Sequence, residues 1–186
     1  MNEQNTNSKN DLYRLLTLDG GGAKGFYSLG VLKEIEAVIG RPLCERFNLI
    51  FGTSTGAIIA ALVALGMPID DIHTLYKEHL PRIMKACTKK KKSEALKSLA
   101  DKVFSDKRFE DVKTGLGIVT TRWDFEIPMI FKSSITQAHG RQATFDPEFG
   151  CTISEAVQAS CSAYPFFEKK VLITGNEDRV ELIDGG

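Results

Sequence analysis

The chain has 186 residues, 42% hydrophobic and 26% charged, with 24 basic and 24 acidic side chains. That length allows one domain with a substantial core, and a net charge of zero gives no global field that would favour nucleic acid or an anionic membrane. Cys44, Cys87, Cys151 and Cys161 are widely spaced and form no C-x-x-C pair, so they read as reduced, mostly buried thiols of a cytosolic protein rather than a zinc site or a disulfide framework.

Residues 1–10 are polar, rich in Asn and Ser, and read as a disordered lead-in without the apolar core of a signal peptide. Residues 11–186 read as one domain, with no repeat and no linker. Leu12 to Leu18 is a strand candidate that runs into Asp19-Gly20-Gly21-Gly22-Ala23-Lys24-Gly25. Phe26 to Ile39 has helical spacing; Gly30 weakens that helix, which predicts a close packing contact there. Gly40-Arg41-Pro42 stops it. Phe47 to Phe51 is a second strand, followed at once by Gly52-Thr53-Ser54-Thr55-Gly56 and the apolar helix Ala57 to Leu65. Strand, helix, strand, helix in so short a span argues for parallel βαβ units. Ala57 to Leu65 is also the longest apolar run, far below the ~20 residues a membrane span needs. Any lipid would be met from the water side.

Ile69 to Met84 reads as a helix that Pro81 kinks or divides. Lys89 to Lys92 is a charge run in a loop, either a solvated linker or a weak contact for anionic headgroups. Ser93 to Phe104 is an amphipathic helix, and Leu116 to Thr121 and Ile127 to Lys132 are strands. Ser133 to Gly150 is polar and irregular. Thr152 and Glu155 form a capping box before a helix over Ala156 to Ala163, ended by Pro165. Val171 to Thr174 and Val180 to Ile183 form a hairpin around Gly175-Asn176, and Asp184-Gly185-Gly186 follows.

Strand, Gly-x-Ser-x-Gly and helix together form the context of a nucleophile elbow. Gly52 and Gly56 relieve crowding in the tight turn, and Ser54 stands at its apex at a helix N-terminus. The simpler reading is that Ser54 caps the helix. A serine nucleophile needs a base and donors for the developing oxyanion. The glycines after the first strand could bring bare N–H groups to the same sheet edge. Gly20-x-Gly22-x-x-Gly25 also fits the letter of a dinucleotide fingerprint. Against that, Asp19 would crowd a pyrophosphate, and the second strand ends in Phe51-Gly52 rather than in an acid. For the base, His73, His79 and His139 do not follow buried strands. Asp184 follows an apolar segment and is better placed to accept a proton, though Asp-Gly is also an ordinary turn.

These stretches together resemble the patatin-like phospholipase family. Asp19 to Gly25 is similar to its glycine-rich oxyanion loop, Gly52 to Gly56 to its nucleophile elbow, and Asp184-Gly185-Gly186 to its Asp-Gly-Gly/Ala motif. Ala159-Ser160-Cys161-Ser162-Ala163-Tyr164-Pro165-Phe166-Phe167 resembles the segment that precedes that Asp. The resemblance implies a three-layer α/β/α fold with a mostly parallel central sheet. It implies a Ser-Asp dyad, with Ser54 as nucleophile, Asp184 as base, and the amides of Gly20, Gly21 and Gly22 as the oxyanion hole. The implied activity is deacylation of phospholipids or other acyl lipids through an acyl-enzyme, with no metal and no cofactor, by a cytoplasmic protein or one peripheral to a membrane. Lys24 stands where the family commonly has Arg and is a candidate substrate contact without the bidentate fork. Family domains continue past the Asp-Gly-Gly motif, so the C-terminal part of the domain is expected to be missing here. The alternatives are a nucleotide-binding or regulatory module built on the glycine loop, and an inactive scaffold.

Overall fold

The computed structural model describes residues 12–134, 147–175 and 177–186. The proposed disordered lead-in, most of the Ser133–Gly150 stretch with His139, and the Asn176 turn position lie outside the described residues. In chain order the elements are β1 (Leu15–Leu18), α1 (Gly25–Ile39), β2 (Leu49–Thr53), α2 (Thr55–Ala64), α3 (Ile69–Lys85), α4 (Lys89–Phe104), β3 (Gly115–Arg122), β4 (Ile127–Lys132), α5 (Ile153–Ser160), β5 (Lys170–Ile173) and β6 (Arg179–Asp184).

The sheet is mixed, in the order β1-β2-β3-β6-β5, with β4 also on β3. β1, β2 and β3 are parallel; β4 and β6 run antiparallel to β3, and β5 antiparallel to β6. Four of the six strands among the described residues, β1, β2, β3 and β5, therefore point the same way, although only the β1–β2 and β2–β3 ladders there are parallel. The register fixes an unusual junction. β2 pairs with Gly115 to Val119, β6 pairs with Thr120 to Arg122, and β4 pairs with residues from both stretches. A strand has two edges, so β2 and β6 share one edge of β3, end to end, with their carboxyl ends meeting.

The helices form one layer, linked through α1–α3, α3–α4, α4–α5 and α2–α5 contacts, and α2 and α5 lie on the sheet. Leu18, Ile50, Leu116, Ile118 and Leu182 are buried beneath them. The opposite sheet face carries Leu15, Val171 and Ile173, which are 50%, 41% and 60% exposed. The second helix layer of an α/β/α sandwich is not among the described residues.

Several local expectations change. β1 starts at Leu15 rather than Leu12, and β2 extends to Thr53, which brings the strand up against Ser54. α3 runs unbroken across Pro81, because Ile72, Tyr76, Leu80 and Ile83 hold one continuous buried face. Lys89 to Lys92 is not a loop: it is the first turn of α4, capped by the Thr88 hydroxyl accepting the Lys91 N–H at 3.3 Å. Unbranched lysine side chains suit a helix, so a good cap is enough to start one there. Gly30 is exposed, and a Cβ there would meet nothing within 4 Å, so no packing contact explains it. The Thr152–Glu155 capping box forms with both reciprocal bonds, but α5 ends at Ser160 rather than Ala163. Tyr164 and Phe166 donate their N–H groups to Ser162 and Ala163 in the turns that follow. Cys44, Cys151 and Cys161 are buried and Cys87 is exposed, with no disulfide among the described residues.

Candidate active site

Ser54 sits at φ 53°, ψ −128° between β2 and α2. A non-glycine residue there carries strain of order ~1–3 kcal/mol, and it persists only where its surroundings over-determine it. Here they do. All ten residues of α2 are buried. Gly56 packs on the end of β1, where a Cβ would collide with the Leu18 carbonyl oxygen. Gly52 is buried in β2 against the Gly56 backbone. The Ser54 N–H donates to Ser160 Oγ at 2.9 Å, and the Ser160 hydroxyl donates to the Val119 carbonyl at 2.6 Å. The Ser54 side chain caps nothing in α2 and makes no hydrogen bond among the described residues. Helix capping is therefore not what Ser54 does.

The glycine loop closes over this turn. A Cβ on Gly20 would lie 2.6 Å from Ser54 Cβ and 3.4 Å from its Oγ, so only glycine permits the approach. Gly21 and Gly22 take positive φ angles of 126° and 58°. The Gly22 carbonyl accepts a hydrogen bond from the Tyr76 hydroxyl at 2.5 Å. Tyr76 is buried, meets Phe26 edge-on at 4.9 Å, and stands over Gly25 with no room for a Cβ. Burial pushes its phenol up to about 12, so it stays a donor to the loop at any ordinary pH. Lys24 is exposed, its stem lying beside Gly21, and it does not line the cavity described below.

Asp184 ends β6 at the junction of strands. Thr53 pairs with Val119 and Asp184 with Thr120, so the strand ends carrying Ser54 and Asp184 face each other along β3. The Asp184 N–H donates to the Ser162 carbonyl at 3.0 Å, and its Oδ1 accepts the Gly186 N–H at 2.9 Å. No hydrogen bond joins the Asp184 and Ser54 side chains among the described residues. Asp184 is half-buried. Burial pushes the Cys161 thiol well up, and the nearby Asp184 carboxylate adds to the effect. The histidines lie elsewhere: His73 is exposed against Phe26, and His79 is buried beside an apolar void of about 30 Å³ between α2, α3 and α4.

A cavity of about 460 Å³ opens from Ser54. Gly21, Gly22 and Thr55 share its polar end; Ile58, Leu80, Ile83 and Leu96 form apolar walls. Met84 and Phe166, both exposed, and the half-buried Lys92 stand at its mouth. An apolar cleft that ends at a glycine loop and at a serine hydroxyl with no hydrogen bond among the described residues offers the elements that acyl-ester chemistry uses.

Two supporting residues were not singled out from the sequence. Ser160 lies within the Ala/Ser-rich stretch, but nothing in that composition says that its hydroxyl bridges the elbow to β3. Tyr76 falls on the apolar face of α3, where an aromatic residue reads as core; its hydroxyl is the part that sequence spacing does not place.

An α/β fold with a strained serine between strand and helix defines the class of nucleophile-elbow proteins. More particularly, the chain belongs to the patatin-like phospholipase family, whose model matches residues 16–186. It is 64% identical over 176 residues to a cUMP-AMP-activated phospholipase of Escherichia coli, which covers 95% of this chain and 55% of the relative. It is 42% identical over 71 residues to a cGAMP-activated phospholipase of Pseudomonas aeruginosa, across 38% of this chain and 21% of that one. The fold resembles the crystal structure of VipD from Legionella pneumophila, with a TM-score of 0.61 at 14% identity over 94% of this chain and 46% of that one. The chain spans about half the length of the Escherichia coli relative.

Proposed function

We propose that this domain hydrolyses acyl esters of phospholipids at a membrane surface, using Ser54 and Asp184 as a dyad. The observation that carries the reading is the Ser54 hydroxyl, without a hydrogen bond among the described residues, held on a strained elbow between the glycine loop and an apolar cleft. The Ser54 oxygen attacks the ester carbonyl as its proton passes to the Asp184 carboxylate. The carbonyl oxygen becomes an oxyanion and accepts hydrogen bonds from the amides of Gly21 and Gly22, with Gly20 completing the loop. Collapse breaks the ester C–O bond, and Asp184 returns the proton to the departing alkoxide, which leaves as a lysophospholipid or alcohol. Water then attacks the acyl-enzyme with Asp184 as base, the fatty acid departs, and Ser54 regains its proton. Acyl chains of the substrate occupy the Ile58–Leu80–Ile83–Leu96 walls.

A regulatory layer is supported by the relatives. The Escherichia coli relative is named for activation by cUMP-AMP and shares 64% identity over 95% of this chain. The full protein is proposed to be switched on by a cyclic dinucleotide.

The test is hydrolysis of a dispersed phospholipid and of a soluble nitrophenyl ester, with folding followed by circular dichroism. Ser54→Ala abolishes both reactions with the fold intact, and Asp184→Asn lowers the rate by about 10⁴. Wild-type turnover in either variant would overturn the dyad, as would a histidine variant that is equally damaging.

A further inference from the structure

The segment from Arg82 to Lys92 holds six cations (Arg82, Lys85 and Lys89 to Lys92) and no acid, in a chain whose net charge is zero. None of the six forms an ion pair among the described residues. The four lysines fill the first turn of α4, which contains no acid, so the helix dipole opposes them. This cluster is not explained by stability. It is explained by its neighbours. Met84 and Phe166 are 53% and 68% exposed, and both line the cavity that ends at Ser54, as does Lys92. Unpaired cations around exposed apolar side chains at a cavity mouth form the pattern of an interfacial surface, with alkyl and aromatic groups at the acyl boundary and ammonium groups at headgroup level. The other exposed aromatic cluster differs: near Trp123 and Phe125 the cations are already engaged, with Lys169 over Trp123 and bonded to Glu181, and Arg122 over Phe125.

We propose that the corner joining α3 to α4, with Phe166, is the face by which this domain docks on an anionic bilayer, placing the cavity mouth directly on its substrate. Met84 and Phe166 enter the apolar boundary, and Lys85 and Lys89 to Lys92 contact lipid phosphates. A phospholipid acyl chain then passes from bilayer to cavity without crossing water. This rests on the lipid-hydrolase reading for its purpose but is measured independently of it.

Binding is read with the non-hydrolysing Ser54→Ala protein by sedimentation with vesicles of phosphatidylcholine alone or with about one-third phosphatidylserine. The expected result is a strong preference for the anionic vesicles that fades at high salt. Replacing Lys85, Lys89, Lys90 and Lys91 together by Gln lowers the partition coefficient on anionic vesicles by at least about tenfold, given about fivefold per lysine at a charged surface, and leaves binding to neutral vesicles unchanged. With Ser54 present, the same quadruple variant hydrolyses a soluble nitrophenyl ester at the parental rate. Equal partition of parent and quadruple variant, or equal binding to neutral and anionic vesicles, overturns the proposal. So does a variant that keeps its vesicle binding but loses affinity for a cyclic dinucleotide, because the cluster then serves a soluble nucleotide. Absence of soluble-ester turnover in the parent defeats the hydrolase reading alone and leaves the vesicle result standing.

Discussion

The strand ends that carry Ser54 and Asp184 meet at one junction of the sheet, but the two residues are held by very different means. The Ser54 turn lies between β2, which is paired on both edges, and the wholly buried α2. It is pinned from below by the Ser160 hydroxyl, and from the side by Gly56 on β1 and Gly20 beside Ser54 itself. Asp184 is held by three residue pairs between β6 and β3 and by one backbone bond to Ser162. Its carboxylate is anchored only by the Gly186 N–H among the described residues. The difference is physical. A strained φ must be enforced from several directions or it relaxes, whereas a carboxylate in the base role proposed for Asp184 needs correct placement rather than strain. Damage to the groups that support Ser54 should therefore appear first as lost stability, and damage to those that support Asp184 as lost rate.

Among changes to the supporting residues, the largest expected effect is on the aspartate side. A Cβ on Gly185 would collide with the Val119 carbonyl and lie 2.7 Å from Thr53 Oγ1. Gly185→Ala shifts Asp184 relative to Ser54 and lowers kcat about 100-fold, the scale expected for a misplacement of about 1 Å. Thermal denaturation of the same variant should show a loss of stability too small to account for the fall in rate. A drop in melting temperature that accounts for the whole loss would erase the contrast. The smaller effect is on the serine side. Ser160→Ala removes the bond to Val119 and leaves the Ser54 N–H without its partner, destabilising the fold by about 1–3 kcal/mol. Urea unfolding checks this, and a rate loss in fully folded protein as large as that of Gly185→Ala would show that the two halves are not held differently.

Much of the local geometry of this candidate site was legible in the sequence. Gly52 to Gly56 between an apolar strand and an apolar helix specifies a turn within a few residues, and so does the glycine run after β1. The α/β alternation from Leu15 to Ala64 follows from periodicity. The meeting of β2 with β6 was not legible, because no local pattern records that two strands share one edge of β3. The antiparallel ladders of β4 and β6 escape for the same reason. Lys89 to Lys92 was misplaced by its charge: composition argues for a loop, and the single Thr88 cap outweighs it. Gly30 shows the opposite error, a packing role inferred for a residue that faces open space.

The central claim is that Ser54 is a nucleophile activated by Asp184. Its most direct test is covalent labelling by a fluorophosphonate, with the modified peptide located by mass spectrometry and the labelling rate compared with that of Asp184→Asn. The account requires one label per chain on Ser54, formed far more slowly in the Asp184→Asn protein. An unlabelled Ser54 in a folded protein that still hydrolyses phospholipid, or a labelling rate indifferent to Asp184, would contradict it.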